Sequence, residues 1–132
     1  MKGKDYSELK APSFFEKLTM KQFGSPVFVN GEPTPEDFDQ AKAGLAVMKN
    51  ILWSGNYDLV VFDEINTAVY FHLVDVKDVL AVLDGKPEKT EVVLTGRYAP
   101  KEIVDRADLV TEMQEVKHYY NAGVKARIGI EE

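Results

Sequence analysis

The stretch Leu59-Val60-Val61-Phe62, running straight into Asp63-Glu64-Ile65-Asn66, constrains the fold more than any other part of the chain. Four apolar residues are too few for a helix, and the run does not alternate with polar residues. It therefore reads as a strand apolar on both faces, the kind that sits centrally in a sheet with helices on each side. Val92-Val93-Leu94 repeats the pattern and ends in Thr95-Gly96-Arg97. Pro26–Val29 (PVFV) and Leu109–Met113 (LVTEM) read as two further strands, rich in β-branched residues and bounded by polar or glycine punctuation.

Helical patterns lie between these runs. Thr34-Pro35-Glu36-Asp37 is a helix start: a threonine cap, proline at the first helical position, then acids in the first turn. Phe38, Ala41, Leu45, Met48, Ile51 and Leu52 continue it as one apolar stripe, and Ser54-Gly55-Asn56 ends it. A second helix starts at Asp75, turns Val76, Val79, Leu80 and Leu83 inward, and stops at Asp84-Gly85. A short third follows Pro100, and Phe14–Gln22 is expected to form another. The alternation predicts an α/β fold of three layers, with a mostly parallel sheet of three or four strands flanked by helices. Residues 1–132 are expected to make one domain.

Composition narrows the function. Sixteen Lys and Arg against twenty-two Asp and Glu give a net charge of −6, the wrong sign for a generic nucleic-acid binder. The absence of cysteine excludes disulfides, thiolate zinc sites and cysteine nucleophiles within this sequence. No run approaches the ~18 consecutive apolar residues of a membrane span. A signal peptide is not expected, and the cytoplasm is the expected location.

In α/β sheets chemistry gathers where strands end. Four apolar residues followed by Asp63-Glu64 resemble a Walker B strand, which delivers carboxylates to the sheet rim to hold Mg²⁺ directly or through water. Successive strand side chains point to opposite faces, so the two acids are expected to have different jobs. The competing reading is an acid that only caps the next helix. At Thr95-Gly96-Arg97, glycine lets backbone approach a ligand and the arginine fork suits phosphate or carboxylate; a tight turn with a surface ion pair is the alternative. Val116–Ile130 holds no acid from Lys117 to Arg127 in an otherwise acidic chain. That segment reads either as an arm laid over an anionic ligand or as a solvated tail. His72 and His118 stand alone, without metal-ligand spacing. Gly-Lys occurs twice, followed by Asp5 and by Pro87, so no G-x-x-x-x-G-K-[ST] phosphate loop is present.

VVFDEIN, VVLTGR, ADLVTEM and the tail VKHYYNAGVKARIGIEE, in that order and spacing, resemble the P-loop-type ATP:corrinoid adenosyltransferases. The likeness covers roughly Gly55 to Glu132, and more loosely the approach Gly31-Glu32-Pro33-Thr34. It implies a P-loop NTPase-like fold lacking the family's N-terminal strand, P-loop, helix and second strand. It also implies a reaction in which Co(I) of a corrinoid attacks the 5′ carbon of ATP and triphosphate leaves. Cobalt is then the nucleophile, and no side chain is expected as a catalytic nucleophile or base.

The resemblance assigns Asp63 and Glu64 to Mg²⁺. It assigns Glu64, Asn66, Thr95, Gly96, Arg97, Lys117, His118, Gly123 and Lys125 to ATP and corrinoid. Asn121 stands where an aspartate is common in the family. Without the phosphate loop, this chain alone is expected to turn over very weakly or not at all: as a piece of a longer enzyme, as a short non-catalytic relative that binds corrinoid or nucleotide, or as an oligomeric α/β remnant with no ligand. A sheet lacking an interior strand exposes a pairing edge, so a homo-oligomer is expected. No nucleic-acid or membrane partner is expected.

Overall fold

The computed structural model describes residues 7–24 and 33–130. The expected strand at Pro26–Val29 and the approach at Gly31-Glu32 lie outside them. Two compact units emerge: Phe23, Gly24 and residues 33–108 form one, and residues 7–22 and 109–130 the other.

The first unit is built on a parallel pair, β1 (Leu59–Phe62) and β2 (Glu91–Leu94), in register Leu59↔Glu91 through Phe62↔Leu94. Helix α1 (Pro35–Trp53) precedes β1, α2 (Ile65–Tyr70) and α3 (Val76–Asp84) form the crossover, and α4 (Lys101–Arg106) follows β2. The chain is therefore α/β with parallel pairing. Among the described residues the sheet has two strands, fewer than the three or four expected. Leu109–Met113 forms no strand, and Leu109 and Met113 are exposed. β-branching and apolarity are not enough without a ladder partner, and no described residue pairs with that run.

The two longer helices, α1 and α3, begin where their caps dictate. Thr34 and Asp37 form a reciprocal capping box: Thr34 Oγ1 accepts from the Asp37 amide, and Asp37 Oδ2 accepts from the Thr34 amide at 2.8 Å. Asp75 caps α3 by accepting from the Lys77 amide at 2.8 Å. Phe14–Gln22, expected as a helix, is not one; a 3₁₀ helix at Ser7–Ser13 precedes it. Phe14 and Phe15 are exposed, and a short helix with no apolar face to bury is marginal in water.

The core lies between one face of the sheet and the helices. Val60 and Phe62 join Leu52 of α1, Val69 of α2, Val79 and Val82 of α3, and Ile103 of α4. Trp53 closes the α1–α3 contact: its Nε1 donates to the Val82 carbonyl at 2.8 Å, and its ring lies where a Cβ on Gly85 would be. The bare backbone of Gly85 is what admits the indole. The opposite sheet face differs from the expectation of two covered faces, because Leu59, Val61 and Val93 are each about half exposed. Non-alternation states what a strand can bury; burial also needs a layer to lie against it.

Candidate functional site

Both strands end on the same side, and their ends are tied by polar bonds. Beyond Phe62 the chain turns through Asp63 and Glu64 into α2; beyond Leu94 it passes through Thr95, Gly96 and Arg97. The Thr95 amide donates to the Phe62 carbonyl at 3.1 Å, extending the ladder by one bond. The Thr95 hydroxyl then donates to Asp63 Oδ1 at 2.6 Å and accepts from the Glu64 amide at 2.9 Å. The Thr95 carbonyl accepts from the Asn66 amide at 3.1 Å. One residue thus fixes the carboxylate of Asp63, the backbone of Glu64 and the first turn of α2.

Glu64 has a left-handed backbone, φ 58° and ψ 20°, which a non-glycine residue adopts only where its surroundings impose it. Its Oε2 accepts from the Thr67 hydroxyl at 2.6 Å, and Thr67 Oγ1 in turn accepts from the Arg97 amide at 3.2 Å. Gly96, at φ 119°, makes this junction possible: a Cβ there would lie 3.0 Å from the Thr67 amide nitrogen and 3.2 Å from Asn66 Cβ. Asn66 is buried, and its Oδ1 has no hydrogen-bond partner among the described residues. Asp63, Glu64 and Arg97 are exposed, and Thr95 and Gly96 are half-buried.

The structure therefore gathers six of the expected residues, Asp63, Glu64, Asn66, Thr95, Gly96 and Arg97, into one hydrogen-bonded rim. Among the described residues no group of three or more His, Asp or Glu forms a ready metal cage. Two adjacent carboxylates, each with one oxygen outside the bonds to threonine, nonetheless match the Mg²⁺ habit of taking one or two carboxylates together with water and substrate phosphates.

Lys117, His118, Gly123 and Lys125 all belong to the second unit and are exposed. His118 Nδ1 accepts from the Tyr120 amide at 3.0 Å, starting a 3₁₀ helix over Tyr119–Ala122 that Gly123 ends with φ 82°. The Arg127 guanidinium carbon lies 5.4 Å from the centre of the Tyr119 ring. His118 is thus committed through one nitrogen to its own loop.

Thr67 has a part in the rim that sequence reasoning missed. Its signal was the three-residue step from Glu64, which brings two side chains together once a helix forms. Six residues containing Ile65, Thr67 and Val69 gave too little periodicity to show that helix.

The family model for "ATP:corrinoid adenosyltransferase BtuR/CobO/CobP" matches residues 1–131. A corrinoid adenosyltransferase of Pseudomonas aeruginosa is 34% identical over 118 residues, covering 89% of this chain and 58% of the relative. One from Sinorhizobium is 38% identical over 96 residues, 72% of this chain and 45% of the relative. The corrinoid adenosyltransferase CobA of Salmonella typhimurium is 37% identical over 83 residues, 63% of this chain and 42% of the relative. The chain spans about half the length of the curated relatives it matches.

Proposed function

Because the chain belongs to the ATP:corrinoid adenosyltransferase family, we propose that it serves the transfer of the 5′-deoxyadenosyl group of ATP to Co(I) of a corrinoid, in the cytoplasm. The observation that carries this reading is the coupled rim, in which Thr95 at the end of β2 holds Asp63 and Glu64 at the end of β1.

In the proposed step Co(I) supplies the electron pair that forms the Co–C5′ bond. The C5′–O bond breaks, its electrons leave with triphosphate, and cobalt becomes formally Co(III). The nucleophile comes with the substrate, so the protein's part is to orient and to neutralise. Asp63 and Glu64 would hold Mg²⁺, which when bound offsets the charge of the triphosphate. Thr95 and Thr67 keep those carboxylates in place, and Gly96 leaves room for the backbone junction. Arg97 faces solvent beside the rim, where its guanidinium suits an anionic oxygen. Lys117, His118, Gly123 and Lys125 of the tail are proposed, on the family resemblance alone, as binding residues for ATP or corrinoid.

The sequence has no G-x-x-x-x-G-K-[ST] segment, which favours a second reading: a non-catalytic module that binds corrinoid or nucleotide. Calorimetric titration of the chain with Mg-ATP and with a corrinoid, followed by an adenosylation assay with chemically reduced corrinoid, separates the two. Binding with slow adenosylation that Asp63→Asn abolishes supports the enzyme. Binding without adenosylation supports the module, and binding of neither ligand overturns both.

A further inference from the structure

Beside the rim lies a group of rings that neither the core nor the proposed chemistry uses. Tyr70, at the end of α2, stacks on Tyr98 with centroids 4.3 Å apart and planes tilted by 30°. Phe71 meets Tyr70 edge-on at 5.2 Å. Rings that cluster normally do so to leave water, yet Tyr70, Phe71 and Tyr98 remain 51%, 50% and 57% exposed. The backbone is also bent to present them. Among the described residues three non-glycines have left-handed backbone; Tyr98 itself, at φ 61°, is one, and His72, at φ 57° directly after Phe71, is another. An aromatic residue in that conformation is an outlier that local propensity does not select.

The neighbours give the stack a chemical direction. The Arg97 guanidinium carbon lies 5.8 Å from the Tyr98 ring centre, placing a cation next to the platform. Flat exposed rings with a cation beside them fit a ligand that carries a conjugated ring and an anionic substituent. A purine nucleotide has both.

We propose that Tyr70 and Tyr98 form a stacking seat for the nucleobase of the nucleotide substrate, with Arg97 meeting the anionic group attached to it. The seat rests on the nucleotide reading above and adds to it the residues that would read the base. Its test is calorimetric titration of the whole chain, as wild type and as Tyr98→Ala, Tyr98→Phe and Tyr70→Ala, with Mg-ATP, Mg-triphosphate and a corrinoid as separate probes.

The seat predicts that Tyr98→Ala weakens Mg-ATP by about tenfold, the typical worth of one base stacked on one ring. Tyr98→Phe should bind as wild type, Tyr70→Ala should weaken Mg-ATP in the same direction, and triphosphate affinity should stay level across the series. Circular dichroism establishes that each variant folds; should Tyr98→Ala fail to, Tyr70→Ala decides. Mg-ATP affinity of the folded alanine variants within about twofold of wild type overturns the seat. So does an equal loss for triphosphate, or a loss confined to corrinoid. A wild-type chain that binds no Mg-ATP removes the nucleotide reading and the seat with it, whereas wild-type binding with indifferent variants removes the seat alone.

Discussion

The hydroxyl of Thr95 both donates and accepts, and valine has the same shape without either capacity. Thr95→Val should therefore free the Asp63 carboxylate and orphan the Glu64 amide. A calorimetric titration should show weaker Mg-ATP binding, while Thr95→Ser should restore it. Gly96 is a separate case because the obstacle is backbone. A Cβ placed at φ 119° would meet the Thr67 amide at 3.0 Å, so Gly96→Ala should cost about 2 kcal/mol or more in urea unfolding. Thr95-Gly96-Arg97 and Asp63-Glu64 were legible in the sequence because each ends an apolar run. Thr67, Tyr70 and Tyr98 were not. Their roles depend on α2 and on a left-handed turn, and neither leaves a periodic trace.

At the scale of elements, the long helix and its cap were readable from Thr34-Pro35-Glu36-Asp37 because a capping box is a local device needing no tertiary partner. Hydrogen bonds from the Thr34 hydroxyl, and then from its amide, hold the Asp37 carboxyl below its ordinary value. A carboxyl depressed in the folded state stabilises above its unfolded value, about 3.9, and that contribution is lost as pH falls through the lower folded value. Helical circular dichroism followed into acid should therefore show α1 loosening below about pH 4, with Asp37→Asn removing this part of the pH dependence. The α1–α3 contact was not readable, since nothing in Asp84-Gly85 reveals that an indole 32 positions earlier will occupy the missing Cβ. Gly85→Ala should push Trp53 out of place and destabilise the unit by about 1–3 kcal/mol in denaturant titrations.

For the whole molecule, the parallel α/β class followed from the order of apolar runs and caps, but the extent of the sheet did not. LVVF and LVTEM are both rich in apolar residues; among the described residues only the first finds a partner, in Glu91–Leu94. Leu59, Val61 and Val93 leave an apolar sheet face half exposed. We expect this face to drive self-association, so light scattering at micromolar concentration should give a mass of at least a dimer, and Val61→Lys should shift it toward the monomer. A monomeric wild-type chain would remove this expectation. The Trp53–Gly85 packing has a practical consequence as well. The chain's one tryptophan lies in the first unit, its ring 4.2 Å from the Lys49 ammonium and its Nε1 bonded to α3. Its intrinsic emission is thus a label-free reporter of α1 parting from α3.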